Sequence, residues 1–352
     1  MTVENFAFAS DNCSGVAPDA WAALEEANAG YSPGYGADDW TQQATDQIRD
    51  LFEYPCDVYF TFNGTAANSL ALASLCRSYH SVIAHEAAHI ETDECGAPEF
   101  FTHGTKLLLG TGESGRLSPE EIERIVRRRS DIHYPKPRAV SLTQPTELGT
   151  LYEPSHLEAI REVCLRHELR LHMDGARFAN AIAALEIAPK EITWKAGVDV
   201  LCFGGTKNGM AVGDCVVFFD AELSKEFSWR CKQAGQLASK MRFLSAPWAR
   251  VLRDDGWLQG PRNANEMAQK LADGLSASSH ARLVQPVQAN AVFVELSDEA
   301  HRGLTAAGWR YYKFIGGASR FMCSWQTTSE DVRCLLADLA RIGGDSAVDS
   351  DN

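Results

Sequence analysis

Leu169-Arg170-Leu171-His172-Met173-Asp174-Gly175-Ala176-Arg177 and, further on, Val198-Asp199-Val200-Leu201-Cys202-Phe203-Gly204-Gly205-Thr206-Lys207-Asn208-Gly209 decide how this chain is read. Each is a short apolar run that ends in a turn, the first on an acid, the second on two glycines and a lysine. Taken singly, both have plain explanations. Asp-Gly suits a turn because both residues tolerate turn geometry, and Lys-Asn-Gly is a hairpin signal whose lysine is ordinarily solvated. Together they put a carboxylate at one strand end and an amine at another, and open α/β sheets bind ligands beyond the carboxyl ends of their strands. An aspartate that keeps a pyridine nitrogen protonated and a lysine that forms a Schiff base are what a pyridoxal 5'-phosphate (PLP) site requires.

The neighbouring sequence carries the same theme. A strand over 57–62 runs into Asn63-Gly64-Thr65-Ala66-Ala67-Asn68, small residues that open a helix. Backbone N–H groups there can approach an anion, with the Thr65 hydroxyl beside them; strand–glycine–helix turns also serve packing alone. The stretch is neither a Walker sequence nor GxGxxG. Further strands are expected at 82–84, 106–109, 139–142 and 212–219, and helices at 18–29 (Trp21 and Leu24 on one face), 41–52, 119–129, 155–167 and 178–185. Strands alternating with helices predict a doubly wound α/β domain with a mainly parallel sheet.

From about residue 247 the pattern changes to helices with strands at 291–295, 310–314 and 319–324 and a last helix at 329–341. The expected organisation is an N-terminal arm over 1–13, a large domain over 14–246, a small C-terminal α+β domain over 247–343 and a disordered tail over 344–352. Between 30 and 40 lies a loop rich in Gly, Tyr and Asp, suited to a lid or a subunit contact.

The totals narrow the function. The 352 residues can bury a large core. A formal charge of −14 disfavours nucleic acid and anionic membranes as partners. Arg127-Arg128-Arg129 is read as the basic end of a helix that Ser118 and Glu121 open with a capping box. The ten cysteines form no CxxC pair, which argues against a zinc ribbon or redox dithiol. With no apolar leader at the start and no run of about 18 apolar residues, a cytoplasmic protein with reduced thiols is expected.

One motif competes. His85-Glu86-Ala87-Ala88-His89 matches HExxH, which binds zinc when it lies inside a sustained helix with a third ligand at a later turn. Glu91, Asp93 and Glu94 are the nearby acids. A β-like run leads straight into His85, and Gly96 and Pro98 follow, so no metal is expected. His89 is instead read as a ring able to stack on a flat cofactor.

In this order the pieces resemble the PLP-dependent threonine aldolases, of the aminotransferase-like (fold type I) enzymes. The resemblance spans about 6–343 and rests on Ser10-Asp11-Asn12, Tyr35-Gly36, Asn63 to Asn68, Glu86 to His89, His172 to Arg177 and Thr206-Lys207. It implies that Lys207 holds the cofactor covalently, that Asp174 pairs with the pyridine nitrogen, and that His89 stacks on the ring near the substrate hydroxyl. It also implies that Gly64, Thr65 and Thr206 bind the phosphate, and that Arg177 and Arg320 grip the substrate carboxylate with Ser10. Lys232 and Arg242 would approach the phosphate, often from a neighbouring subunit, and Tyr35 would reach across the same interface. A homo-oligomer, commonly a tetramer built as a dimer of dimers, follows from the resemblance. The implied reaction is cleavage of an L-3-hydroxy-α-amino acid (threonine, allo-threonine or phenylserine) to glycine and an aldehyde. The alternative is a β-eliminating lyase or transaminase that removes the Cα proton.

The chain departs from the family in one place. Many members carry an asparagine-threonine-histidine run after the strand that ends near Leu142, and here Thr143-Gln144-Pro145-Thr146-Glu147 stands instead. The β-hydroxyl is then expected to meet His89, Thr146 or water.

Overall fold

The apolar runs assemble into a seven-stranded sheet in the computed structural model, which describes residues 4–314 and 316–342. In chain order its strands are β1 (Asp57–Thr61), β2 (His80–His85), β3 (Lys106–Gly110), β4 (Lys136–Thr143), β5 (Arg170–Gly175), β6 (Val200–Phe203) and β7 (Asp214–Phe218). Across the sheet they lie in the order β1-β7-β6-β5-β4-β2-β3. β7 runs against its neighbours β1 and β6, and the remaining pairs are parallel. This is the mainly parallel, helix-flanked sheet of the aminotransferase-like fold.

Period-2 alternation explains how both faces are covered. Along β6, Leu201 and Phe203 enter one core with Phe52, Phe178 and Trp248. Val200 and Cys202 enter the other with Leu70, Phe218 and Phe227. The helices Pro18–Ala27, Asp39–Phe52 and Phe178–Leu185 cover the first face, and Gly64–Leu75 and Phe227–Gln233 the second.

Details correct the sequence reading. On the first helix Trp21 is exposed, and the buried stripe is Ala20, Ala23 and Ala27. Ser118 caps its helix by accepting from the Glu121 N–H, but the Glu121 side chain turns to Arg124 and to the Thr111 N–H instead of closing the box. That helix ends at Val126, before the arginine run. The boundary expected after residue 246 falls inside the helix Arg242–Val251, whose buried Trp248 packs against Phe203 with the rings tilted and their centroids 4.7 Å apart.

The C-terminal part forms a four-stranded antiparallel sheet from β8 (Ala281–Leu283), β9 (Ala291–Leu296), β10 (Tyr312–Lys313) and β11 (Ser319–Met322), in the order β10-β11-β9-β8. The helices Gln259–Ser276, Asp298–Ala306 and Ser329–Ile342 pack on it. The N-terminal arm belongs to this layer. Phe8 is fully buried there against Trp309 and Phe321, and its carbonyl accepts from the Met322 N–H. The tail expected to be disordered lies outside the described residues.

Candidate active site

Five strands that point the same way, β1, β2, β4, β5 and β6, deliver side chains to one end of the large sheet. There a cavity of about 250 Å³ is lined by Asn63, Gly64, Thr65, His89, Glu147, Asp174, Thr206 and Lys207, among others. This is the location expected of ligands in open α/β sheets.

Asp174 closes β5. Its carboxylate is buried and accepts from Asn68 Nδ2 at 2.9 Å and from the Ala176 N–H at 3.0 Å. Each oxygen retains a lone pair, so the group can still receive a protonated ring nitrogen. Two residues earlier, on the same strand face, His172 is sealed beneath it. Its ring nitrogens lie 2.9 Å from Ser141 Oγ and 3.3 Å from Cys202 Sγ. Burial pulls its pKa down to about 4.

Lys207 sits in the 3-10 turn Thr206–Asn208 after β6. The glycines before it are steric requirements. A Cβ on Gly204 would stand 2.3 Å from the Ala176 carbonyl oxygen, and one on Gly205 2.6 Å from the Gly213 carbonyl oxygen and from Trp248. Buried Asp214, at the start of β7, anchors the turn by accepting from the Gly205 N–H (2.8 Å) and the Thr206 N–H (3.1 Å). Burial pushes the Asp214 pKa up, against those bonds and the nearby Lys207 charge.

His85 and His89 occupy different elements. β2 ends at His85, and His89 opens the short helix His89–Thr92. The geometry HExxH needs on one helical face is therefore missing, and among the described residues no group of three His, Cys, Asp or Glu side chains could hold a metal ion. His89 Nδ1 pairs with Glu94 Oε1 at 2.9 Å, and Glu94 Oε1 also accepts from Asn68 Nδ2 at 2.8 Å. The Glu94 bond raises the His89 pKa against a burial that lowers it, and Glu147 and Asp174 add through space. Burial raises the Glu94 pKa as well. Both shifts favour a proton held on the pair.

Arg177 and Asp11 form a buried two-point ion pair, with Nε–Oδ2 at 2.6 Å and Nη2–Oδ1 at 3.0 Å. Burial opposes ionisation of Asp11, yet Arg177 holds its carboxyl below the ordinary value. Arg320, on β11, is a different case. Its Nε is buried without a partner among the described residues, and its guanidinium lies 4.8 Å over the Phe314 ring. Burial and the Arg177 charge lower its pKa.

The cavity fits PLP. Lys207 offers an amine and Asp174 a carboxylate. The helix Gly64–Leu75 offers its N-terminal N–H groups, and Thr206 Oγ1 is a buried hydroxyl with no partner among the described residues. Arg177 and Arg320 do not line the cavity itself; both feel the charge of Glu147 on its wall, Arg177 also that of Asp174, and Arg320 Nε is an unspent donor among the described residues.

Not every expected residue lies here. Thr146 does not offer its hydroxyl to the cavity, because that hydroxyl is buried between the Ser114 carbonyl (3.1 Å) and Thr150 Oγ1 (2.8 Å). Ser10 caps the turn Asp11–Cys13 by accepting from the Asn12 N–H and lines a neighbouring cleft. Tyr35, Lys232 and Arg242 are absent from the lining. Lys232 Nζ stands 4.9 Å over the exposed Tyr35 ring, and Arg242 Nε donates to the Ala27 carbonyl. Conversely, Asn68, Glu94, Asp214 and Glu147 take places that the sequence reading did not assign. Asn68 lay inside a quoted motif, and Glu94 was weighed as a metal ligand; nothing in the local sequence marked Asp214.

Fold and site together define a PLP-dependent enzyme of the aminotransferase-like class. Aspartate aminotransferase from Thermus thermophilus shares the fold, with a TM-score of 0.71 at 17% identity over 97% of this chain and 92% of that one. The sequence pattern of the beta-eliminating lyase family matches residues 7–299. A low specificity L-threonine aldolase from Pseudomonas aeruginosa is 58% identical over 345 residues, 98% of this chain and 100% of the relative. The structure of a threonine aldolase from Leishmania major superposes with a TM-score of 0.89 at 28% identity, covering 95% of this chain and 98% of that one. The chain belongs to the threonine aldolases of the beta-eliminating lyase family and is a PLP-dependent carbon–carbon lyase.

Proposed function

We propose that the protein cleaves L-3-hydroxy-α-amino acids, with threonine, allo-threonine and phenylserine in its range, to glycine and an aldehyde. The observation that carries this reading is the grouping of Lys207, Asp174 and His89 around one cavity at the sheet end in a family of threonine aldolases. PLP, when bound, supplies an electron sink for the pair released from the Cα–Cβ bond. Lys207 is the residue of covalent attachment. Asp174, braced by Asn68 and the Ala176 N–H, would keep a proton on the pyridine nitrogen. Gly64, Thr65 and Thr206 would hold the phosphate, and His89 would cover the ring.

Arg177 and Arg320 receive the substrate carboxylate. Asp11 holds two of the Arg177 nitrogens and leaves Nη1 for the ligand. Fixing the carboxylate sets rotation about the Cα–N bond, which decides whether a Cα substituent is cleaved along Cβ or along H. Asp174 would back the ring of a bound cofactor against charge developing on Cα.

Tyr35, Lys232 and Arg242 serve the cavity of a neighbouring subunit in a homo-oligomer, built as a dimer of dimers. Their position off this chain's own cavity, together with exposed Tyr31 and Tyr35 on one loop, supports that reading. No helix among the described residues is long and apolar enough to cross a membrane. Ten cysteines, none in a disulfide, suit a cytoplasmic location.

The test is product analysis with an absorbance spectrum. Glycine plus aldehyde from a 3-hydroxy amino acid is the expected outcome, while a keto acid and ammonia would favour the eliminating alternative. Borohydride reduction should leave a pyridoxyl adduct on Lys207, and Lys207→Ala should lose both adduct and turnover. Full turnover by that variant overturns the assignment.

A further inference from the structure

The departure from the family pattern after β4 has a structural sequel. The segment Thr146–Thr150 is a tight turn pinned at both ends: the Gly149 N–H donates to the Thr146 carbonyl at 2.8 Å, and the Thr146 N–H donates to the Thr150 carbonyl at 2.8 Å. The two threonine hydroxyls lock together and onto the Ser114 carbonyl. Gly149 has φ +77°, a conformation that favours glycine. The turn and the Ser114 carbonyl engage every polar atom of Thr146, and the turn carries Glu147 to the cavity wall shared by His89, Asp174 and Lys207.

Proton acceptors on that wall can be compared one by one. Asp174 is committed to Asn68 and the Ala176 N–H, and Asp214 to the N–H groups of Gly205 and Thr206. His89 is bound to Glu94 in a pair that favours keeping its proton, which suits a ring-stacking cation better than a base. Glu147 is half-buried and acts on His89, Arg177 and Arg320 as a charge through space. Among the described residues its oxygens make no hydrogen bond or ion pair. The charged groups around it are His89 after β2, Asp174 and Arg177 at the end of β5, Lys207 after β6 and Arg320 on β11.

We infer that Glu147 is the proton acceptor for the β-hydroxyl of the substrate. This rests on the aldolase reading above. In the step, the hydroxyl proton passes to a Glu147 oxygen, and the O–H electron pair becomes the second bond of the aldehyde carbonyl. The Cα–Cβ bond breaks, and its pair remains on Cα for the cofactor to accept. The proton on Glu147 is available to return to an aldehyde oxygen in the reverse, condensing direction.

The experiment compares wild type with Glu147→Gln, which keeps shape and removes the acceptor. Two reactions are followed on PLP-loaded protein: cleavage of threonine and allo-threonine, and exchange of the glycine α-proton for deuterium by NMR. Glycine has no β-hydroxyl, so its exchange does not need Glu147. The expected result is a fall in cleavage kcat of about 100-fold or more, with loss of the acidic limb of the kcat–pH profile and glycine exchange near the wild-type rate. Cleavage within about threefold of wild type with the limb unchanged overturns the proposal, as does an equal fall in both reactions. If Glu147→Gln fails to fold, Glu147→His decides: an acidic limb displaced towards the imidazole range supports the assignment, and an unmoved limb overturns it. Wild-type protein that exchanges glycine but releases none from 3-hydroxy amino acids fails the aldolase reading itself, before any variant is made.

Discussion

Glu94 Oε1 lies 2.9 Å from His89 Nδ1, so the imidazole that faces the cofactor cavity is held from behind by a buried carboxylate. Through Asn68 the same carboxylate reaches Asp174, and one amide thereby couples the residue proposed to stack on the ring to the one proposed to pair with its nitrogen. Asn68 also fixes both groups to the helix that opens with Gly64, so the phosphate end and the ring end of the cavity are built on one element.

Glu94→Gln should therefore lower the His89 pKa, because its largest raising influence is the Glu94 hydrogen bond. Hydrogen bonds to charged groups contribute about 1.5–3 kcal/mol, so cleavage should slow by roughly 10- to 100-fold. NMR titration of the His89 ring protons checks the first point and steady-state kinetics the second. An unmoved titration would remove the role given to Glu94.

Asp11→Asn should uncouple Arg177. Asp11 is buried, Arg177 mostly so, and the pair is bonded at two points; breaking a buried pair costs about 3–5 kcal/mol because one charge is left uncompensated. Chemical denaturation should show that loss. KM for the amino acid should rise more than kcat falls, since the misplaced fork serves substrate binding. Wild-type stability together with wild-type KM would contradict both halves of this account.

Gly205→Ala should damage the lysine turn without touching any charge. The new methyl would meet the Gly213 carbonyl oxygen, Met210 Sδ and Trp248 at 2.6 Å each. The backbone oxygen cannot swing away as a flexible side chain could. Overpacking of this kind costs about 1–3 kcal/mol or more, and the displaced turn should weaken PLP attachment at Lys207. A melting temperature and pyridoxyl adduct yield equal to wild type would show that the turn tolerates the shift.

The sequence was legible where one residue type carries both a local and a chemical signal. Asp174 and Lys207 end apolar runs, and Gly64 and Thr65 open a helix, so their places in the fold follow from strand and turn chemistry alone. Asn68 was not legible because it donates to Glu94 and Asp174, far from it in the chain, and Asp214 because its bonds to the Gly205 and Thr206 N–H groups depend on β7 returning antiparallel beside β6. The β-like run that set aside HExxH in the sequence is β2, which ends at His85 and leaves the two histidines on different elements. Thr146 was misread because its hydroxyl is claimed by Thr150 and Ser114, a closure that depends on the turn. Near residue 247, where the sequence pattern changes, the chain is continuous helix for a related reason. Pro247 reads as a break, yet the helix Arg242–Val251 accommodates it within its second turn and continues into the large core.

His172 supplies a pH dependence of stability with a definite sign. It is wholly buried, and burial lowers its pKa from 6.5 to about 4. Between those values the unfolded chain binds a proton that the folded protein excludes, so stability rises with pH across the window and is lost on acidification. One proton corresponds to about 1.4 kcal/mol per pH unit. His172→Gln removes this dependence while costing about 1–3 kcal/mol at neutral pH, as the bonds to Ser141 and Cys202 are disturbed. The stability gap between wild type and variant should then narrow by roughly 2 kcal/mol between about pH 7 and about pH 5. Urea denaturation at both values measures it, and because the other carboxylates and histidines are common to both proteins, their contributions cancel. A gap that stays constant would mean that His172 takes up its proton in the folded protein as readily as in the unfolded chain, and the seal beneath Asp174 would have to be looser than its burial implies.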